Sequence, residues 1–451
     1  MTQKARYSQI DKFLIQVTCT QPLHTGSANG GVEEVLIHPV EEEPFLQASS
    51  LAGAFRGYYE NAYGKGYAAK IFGSSGSEQQ EESRIRFSDG RFDMKTVKME
   101  LRPRIRIDAA TGTVGSEQQS GQKFEIQYVA AGAEMKFTVY ALDWNKEDKE
   151  RFLTCLGDIH SGYVQFGGQK SNGCGYFAMK AIAHRHYSLT DSKDREAWFC
   201  EDEGMDSEAV PILPDRLPVS LKFRAFDLNV YGETDGELLV KGIAVTDYGK
   251  NAPDVMNIQN GNNDYIIPGS SVKGAIRSRM KMICSHLDIK ESFIDSVFGA
   301  AATETAQGKM GILRFYDVIV GDQEANDQAE LRRRIHVDKF TGGVMDSALF
   351  SEKNVSGSVM FHAGVLEGEH SAAACALLAF VFRDMAERQM TLGSGCSVGK
   401  GYVKIHRLEI VDRAGNLCEL DFQEKKVNDD SGLLRRCMNE LKNRKEQRDG
   451  I

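Results

Sequence analysis

Pro268–Arg277 reads PGSSVKGAIR, and this stretch decides the fold because the chain writes it twice. Its partner, Gln47–Arg56, reads QASSLAGAFR and keeps both serines, the glycine and the arginine at the same spacing. A serine pair just ahead of an apolar run predicts a helix start, capped by a side-chain oxygen on an orphan N–H. Leu51, Ala54, Phe55 and Tyr58 in the first copy, and Val272, Ala275, Ile276 and Met280 in the second, then follow at helical spacing. Lys273, Arg277 and Lys281 fall four apart, so the second helix carries one basic stripe from its N-terminus. Cations beside a helix N-terminus suit a phosphate.

The duplication extends outward from these helices in constant order. IFG at Ile71 is matched by VFG at Val297, RFSD at Arg86 by RFYD at Arg314, RIRIDAATGTV at Arg104 by RIHVDKFTGGV at Arg334, and GCGY at Gly173 by GKGY at Gly399. The separations drift by only a few residues, which implies two copies of one domain with loop insertions. Each copy opens on an alternating strand, FLIQVTCT from Phe13 or VSLKFRAF from Val219. Later come a second helix, Lys146–Ser161 or Ser371–Gln389, a glycine-rich turn and a last strand, Tyr176–His184 or Tyr402–Ile410. The order strand, helix, strands, helix, strand predicts an α+β chain of two tandem sheets of ferredoxin-like or RNA-recognition-motif type. The expected boundaries are 1–187, an acidic linker at 188–215, 216–423, and a charged terminal helix or tail at 424–451.

Size and composition narrow the function. At 451 residues the chain is longer than one core usually grows. No apolar stretch has the length of a membrane span, and MTQKARYSQID lacks a signal peptide's apolar core. Nine scattered cysteines, never spaced as CxxC, predict reduced thiols, a cytoplasmic setting and no zinc site. A net charge of −9 argues against a generic basic nucleic-acid binder. The charge is segregated, however. Arg84–Arg106 holds eight Lys/Arg against three acids, and Thr190–Glu208 holds eight acids against two bases. That pattern suggests a basic working surface and a solvated acidic segment.

Gly167–Tyr176, GGQKSNGCGY, and Gly393–Tyr402, GSGCSVGKGY, invite a nucleotide-site reading. A P-loop needs a glycine where Ser394 stands and a Ser or Thr where Gly401 stands, and it runs from strand to helix, so that reading fails. Two readings stay open: glycines that merely permit a tight turn, or backbone N–H groups that face a phosphate together with Lys170 or Lys400.

With these motifs in place, the chain resembles the CRISPR-associated RAMP superfamily, whose signatures include a PGSS-x-KG-x-x-R helix and a late glycine-rich loop. The second copy matches closely at PGSSVKGAIRSRM, whereas the first lacks the proline and the lysine. The likeness points to a backbone (Cas family seven) subunit of a type III effector complex, here two such units fused. It implies two RAMP domains with inserted thumb hairpins, by analogy Arg102–Phe124 and Arg332–Val359. Guide CRISPR RNA, target RNA and other type III effector subunits are the implied partners, with no membrane. It also implies RNA contacts from Ser49, Ser50, Arg56, Ser270, Ser271, Lys273, Arg277, Lys281, Arg104, Arg106, Arg334, Lys170 and Lys400.

In such subunits a single aspartate, in the loop between first strand and SS helix, cuts the target. NAPDVMNI puts Asp254 there, and GGVEEVLI puts Glu33 there in the first copy. A glutamate is one methylene longer, and misplacing a catalytic group by about an ångström can cost roughly a hundredfold, so Glu33 is the weaker site. RNA supplies its own nucleophile, the 2′-hydroxyl. One carboxylate at the scissile step can then accept a proton or hold a weakly bound Mg²⁺ or other divalent cation, with Lys250, Lys273 and Arg277 stabilising phosphate charge. Asp254 in an Asn/Asp-rich loop is also an ordinary turn former, and Asp247 is its rival. Two further readings compete: an architectural guide-RNA-binding subunit without nuclease activity, and a guide-processing endonuclease using His24.

Overall fold

The computed structural model describes every residue except 1–6, 30–31, 76–79, 106–122, 201–207, 221–223, 243–252, 301–307, 322–329, 346–348 and 447–451. The chain divides into two compact units. The first comprises Met1–Glu100, Gln127–Lys170 and Cys174–Lys222; the second comprises Phe223–Ile451 with two short pieces, Leu101–Ile126 and Ser171–Gly173.

In the first unit the core elements are β1 (Gln9–Cys19), α1 (Ala48–Tyr63), β2 (Ile85–Phe87), β3 (Glu134–Leu142), α2 (Lys146–His160) and β4 (Phe177–Ser188). β1 lies between β3 and β4, with Phe13 opposite Val139 and Ile15 opposite Ile182, all antiparallel. β2 flanks β3, Phe87 opposite Val139. Strand order β4-β1-β3-β2 is the ferredoxin-like arrangement. Alternation on β1 turns Phe13, Ile15 and Val17 to one face, where they are fully buried. Phe55 of α1 and Phe152 of α2 close over them, with the Phe13 and Phe152 rings 4.9 Å apart. Each such side chain contributes about 1.5–3 kcal/mol. A capping box, in which Asn145 accepts from the Asp148 N–H and Asp148 answers the Asn145 N–H, starts α2.

The second unit repeats the plan with β5 (Arg224–Asp235), α3 (Gly269–His286), β6 (Leu313–Phe315), β7 (Ser358–Leu366), α4 (Ser371–Ala386) and β8 (Tyr402–Asp412). Its order β6-β7-β5-β8 is the same arrangement, with Val230 opposite Phe361 and Leu408. Val219 and Ser220, expected to open β5, lie outside any strand, and residues 221–223 are among those not described. Leu228 and Val230 pack with Ile276, Phe361 and Phe382 in one core. The tail contributes to this core. Helix Leu433–Glu446 buries Leu433, Leu434, Cys437 and Leu441 against it.

Residues 188–215, read above as a linker, carry a helix, Ser192–Cys200, and a strand, Val210–Ile212, whose Pro211 pairs opposite Ala183 of β4. A proline is tolerated there because the strand is at the sheet edge. Ser220 follows closely and is bolted down: its N–H donates to Asp158 Oδ1 at 2.8 Å and its hydroxyl to Asp158 Oδ2 at 2.7 Å. Among the described residues no helix is long and apolar enough to cross a membrane.

Candidate nucleic-acid interface

The two SS helices begin where the repeat places them, but their serines do not cap them. The N-cap residues, Gln47 and Pro268, make no side-chain cap bond. The first helical N–H groups go instead to distant aspartates, Ala48 to Asp89 Oδ1 at 2.7 Å and Gly269 to Asp317 Oδ1 at 2.8 Å. These are the aspartates of RFSD and RFYD, which explains why the two motifs recur together. A carboxylate already meets the positive end of each helix dipole. A phosphate must therefore approach from the serine and lysine side of the helix.

In the first unit the serine side opens on a cavity of about 270 Å³, lined by Ser50 and Gly53 of α1, by Gly167, Gly168 and Lys170, and by Thr25. Gly26, Leu36, Gln47 and Ala54 complete the wall, which therefore sets glycine backbone, two hydroxyls, an amide and one lysine beside a small apolar side. Ser49 is exposed beside it, and Arg56 is half-exposed, its Nε 3.0 Å from Glu60 Oε1. His24 lies behind the loop, 4% exposed, with Nδ1 3.0 Å from the Gln127 carbonyl and its ring against Gly168. An Nδ1–H donated to that carbonyl fixes its tautomer and orientation. The long glycine loop is shaped by its own backbone. Gly175 has φ 81°, and an added Cβ would lie 1.9 Å from the Phe166 carbonyl oxygen.

In the second unit Ser270 and Ser271 are half-buried. The lysine stripe is largely spoken for. Lys273 Nζ donates to Ser171 Oγ at 2.8 Å, Arg277 Nη2 lies 2.8 Å from Asp295 Oδ1, and Lys281 Nζ lies 2.5 Å from Glu291 Oε1. The last two pairs are exposed and contribute only about 0–1 kcal/mol each, so a phosphate can exchange into them. Burial pushes the Lys273 ammonium down to about 8, and the nearby Arg277, Arg314 and Arg104 guanidinium groups push the same way. Four cations thus share one region. Arg334 Nε stands 3.3 Å from Glu352 Oε2. Lys400 corrects the expectation of a phosphate-facing lysine: only 2% exposed, it donates to Glu352 and, at 2.8 Å, to Asn354 Oδ1. It therefore fastens the glycine loop to strand Phe350–Asn354. Arg106, Asp247 and Lys250 lie outside the described residues.

Asp254 is exposed at the start of the short strand Val255–Met256, which runs parallel to Glu352–Lys353. Ser351 holds it: the Ser351 N–H and hydroxyl both donate to Asp254 Oδ2, at 2.6 and 2.8 Å. These bonds hold its carboxyl below the usual carboxylate range. Such a group is a weak proton acceptor near neutral pH and a good fixed negative charge. Glu33 occupies strand Val32–Val35, opposite Ala28; its side chain lies outside the described residues. No group of three His, Cys, Asp or Glu able to hold a metal occurs among the described residues.

Beside Asp254 rises a hairpin, Glu330–Arg334 paired with Phe350–Asn354. Near its far end Asp338 Oδ1 accepts the Phe340 and Thr341 N–H groups, at 2.9 and 2.7 Å, and a bridge joins Val337 to Val344. This turn presents Phe340 88% exposed. Most of the first expected thumb, 106–122, lies outside the described residues.

A family model agrees with this doubled geometry: the RAMP superfamily matches residues 16–178 and again 248–404. The chain belongs to the RAMP superfamily. No curated protein matches it. Both RAMP matches span an SS helix and an RF-x-D strand, and the second runs through Asp254, the hairpin and Lys400. Membership suggests a CRISPR-associated RNA-binding role. Sequence reasoning missed the aspartate caps and the Ser351 clamp. The repeated RF-x-D motif carried the signal for the caps; the clamp, 97 residues from Asp254, had none.

Proposed function

We propose that this RAMP protein is a backbone subunit of a type III CRISPR ribonucleoprotein, holding guide RNA on its SS helices and cutting the paired target at Asp254. The single observation that supports the cutting role is Asp254 itself: an exposed, ionised carboxylate locked by Ser351 at the base of a hairpin. The cavity at Ser50 and Lys170 and the cation group around Lys273 would take guide phosphates. The tip aromatic Phe340 would stack on a base and part the duplex locally. That distortion favours in-line attack by the 2′-hydroxyl. Asp254 is the residue that would hold a divalent ion jointly with RNA oxygens, and such an ion would supply charge stabilisation at the phosphate.

Asp254→Asn keeps a side-chain oxygen for the Ser351 N–H and removes the charge, so it separates chemistry from loop structure. Target cutting in the assembled complex should fall about a hundredfold or more, with guide affinity within about twofold. The Ser351 bonds also favour a second reading, a purely architectural RNA-binding subunit in which Asp254 only ties the loop down. Unaltered cutting by Asp254→Asn would select that reading.

A further inference from the structure

The first unit's sheet has a second face, turned away from α1 and α2. On β1, Phe13, Ile15 and Val17 meet the helices, so Ile10, Lys12 and Leu14 point the other way. Register sets Arg86 of β2, Tyr140 of β3, Lys12 of β1 and Arg185 of β4 side by side on this face, one row across all four strands. Beside it runs an apolar row, Leu142, Ile10 and Tyr187. Cations and tyrosines on one face of a ferredoxin-like sheet suit a single strand, with bases stacked on the rings and phosphates on the cations. The fold does not demand this layout. The same row of the second unit reads Arg314, Gly364, Asp227 and Val411, which keeps one cation and no ring.

Helix Ser192–Cys200 lies on this face. Its Trp198 stands edge-on to Tyr140 and to Tyr187, with ring centroids 5.7 and 5.4 Å apart. The Arg185 guanidinium, 5.1 Å from the Tyr187 ring centre, holds two carboxylates: its Nη2 is 3.0 Å from Asp194 Oδ1 and 2.7 Å from Glu208 Oε2. An aromatic ring on the tyrosines and two anions on the arginine are what a nucleotide would bring. The helix is lightly held. It has nine residues, none of them fully buried, and Phe199 is 77% exposed. A helix that short is marginal by itself, so it lifts at low cost.

We propose that the row Arg86, Tyr140, Lys12 and Arg185 is a single-stranded nucleic-acid site, and that helix Ser192–Cys200 closes it, Trp198 standing where a base stacks and Asp194 with Glu208 where phosphates sit. A strand binds only when the helix lifts, so the affinity of the wild-type chain is the open site's affinity reduced by the open fraction. The site is separate from the guide surface, because α1 packs on the opposite face of the sheet. It stands whether or not Asp254 cuts.

The test opens the helix in the full chain. Trp198→Ala with Asp194→Asn should bind a labelled oligouridine of about 12 nucleotides at least about tenfold more tightly than wild type at one fixed salt concentration. Ultraviolet cross-links, mapped by mass spectrometry, should then appear at Tyr140. Oligothymidine of the same length separates the two sources of such a strand: an equal gain means that stacking and charge suffice, a gain confined to oligouridine means a 2′-hydroxyl contact, and either supports the site. Asp194→Asn alone keeps an oxygen for the Ser188 N–H and leaves the Trp198 packing in place, so it tests the same idea without risk to the fold, with a gain of about threefold. Adding Arg86→Ala and Arg185→Gln should erase either gain. Wild-type affinity in every folded variant would make the helix a plain cover and overturn the proposal. So would a gain that survives loss of both arginines, or cross-links confined to residues off this face.

Discussion

The start of α1 and the start of α3 share a sequence signature, a helix geometry and an aspartate cap, yet one is exposed and the other enclosed. Gln47, Ser49, Ser50 and Gly53 face solvent, whereas Pro268 and Gly269 are buried and Lys273 is drawn inward. The glycine loops show the opposite assignment, Gly173 buried and Gly399 exposed. Duplication preserved the hydrogen-bonded backbone in each case, while the side chains that face a neighbour diverged. Elements that must close a turn are held by φ and carbonyl positions. Elements that meet a partner are held only by what that partner tolerates.

The loop lysines offer the sharpest way to break this comparison. Lys400→Ala takes the donor from the buried Asn354 Oδ1 and leaves Glu352 with Arg334 alone, and should cost about 3 kcal/mol in urea unfolding. Lys170→Ala, on an open cavity, should cost under about 0.5 kcal/mol and weaken RNA binding instead. Similar stability losses in both would mean that the loops do not differ in kind. Next in size is the glycine pair. Alanine at either position bears about 1–2 kcal/mol for a left-handed backbone, and Gly173→Ala adds about 1–3 kcal/mol of overlap with the Phe315 carbonyl. Thermal melts should therefore rank Gly173→Ala well below Gly399→Ala.

The smallest effect is protonic. With Lys273 at about 8, the folded chain sheds a proton between that value and the lysine's ordinary 10.5, where the unfolded chain still holds it. In that window the group makes stability rise with pH. An RNA phosphate favours the charged form, so binding takes up a proton and affinity should fall by up to about tenfold per pH unit above about 8. Lys273→Gln should flatten that slope in a filter-binding titration across pH 7–10.

The doubled architecture was legible because the SS helix, RF-x-D strand and glycine loop recur in one order, and β1 and β3 alternate cleanly. What was not legible depended on distant partners. Local capping rules favour serine, but Asp89 and Asp317, just past β2 and β6 and 41 and 48 residues away, win. Lys400 in a glycine-rich loop reads as phosphate-facing until Glu352 comes beside it through the hairpin. Val210–Ile212 is too short, and too interrupted by proline, to announce itself as a strand. At the candidate site the sequence supplied Asp254, while its clamp came from Ser351 through strand pairing.

Of the nine thiols, seven are buried and only Cys200 and Cys396 reach solvent. Cys396 stands at the tip of the open glycine loop, three residues from Gly399. In a Cys200→Ser background, a single maleimide fluorophore would attach at that tip, and its anisotropy would report the loop's local freedom in real time, with no tag or fusion added to the polypeptide.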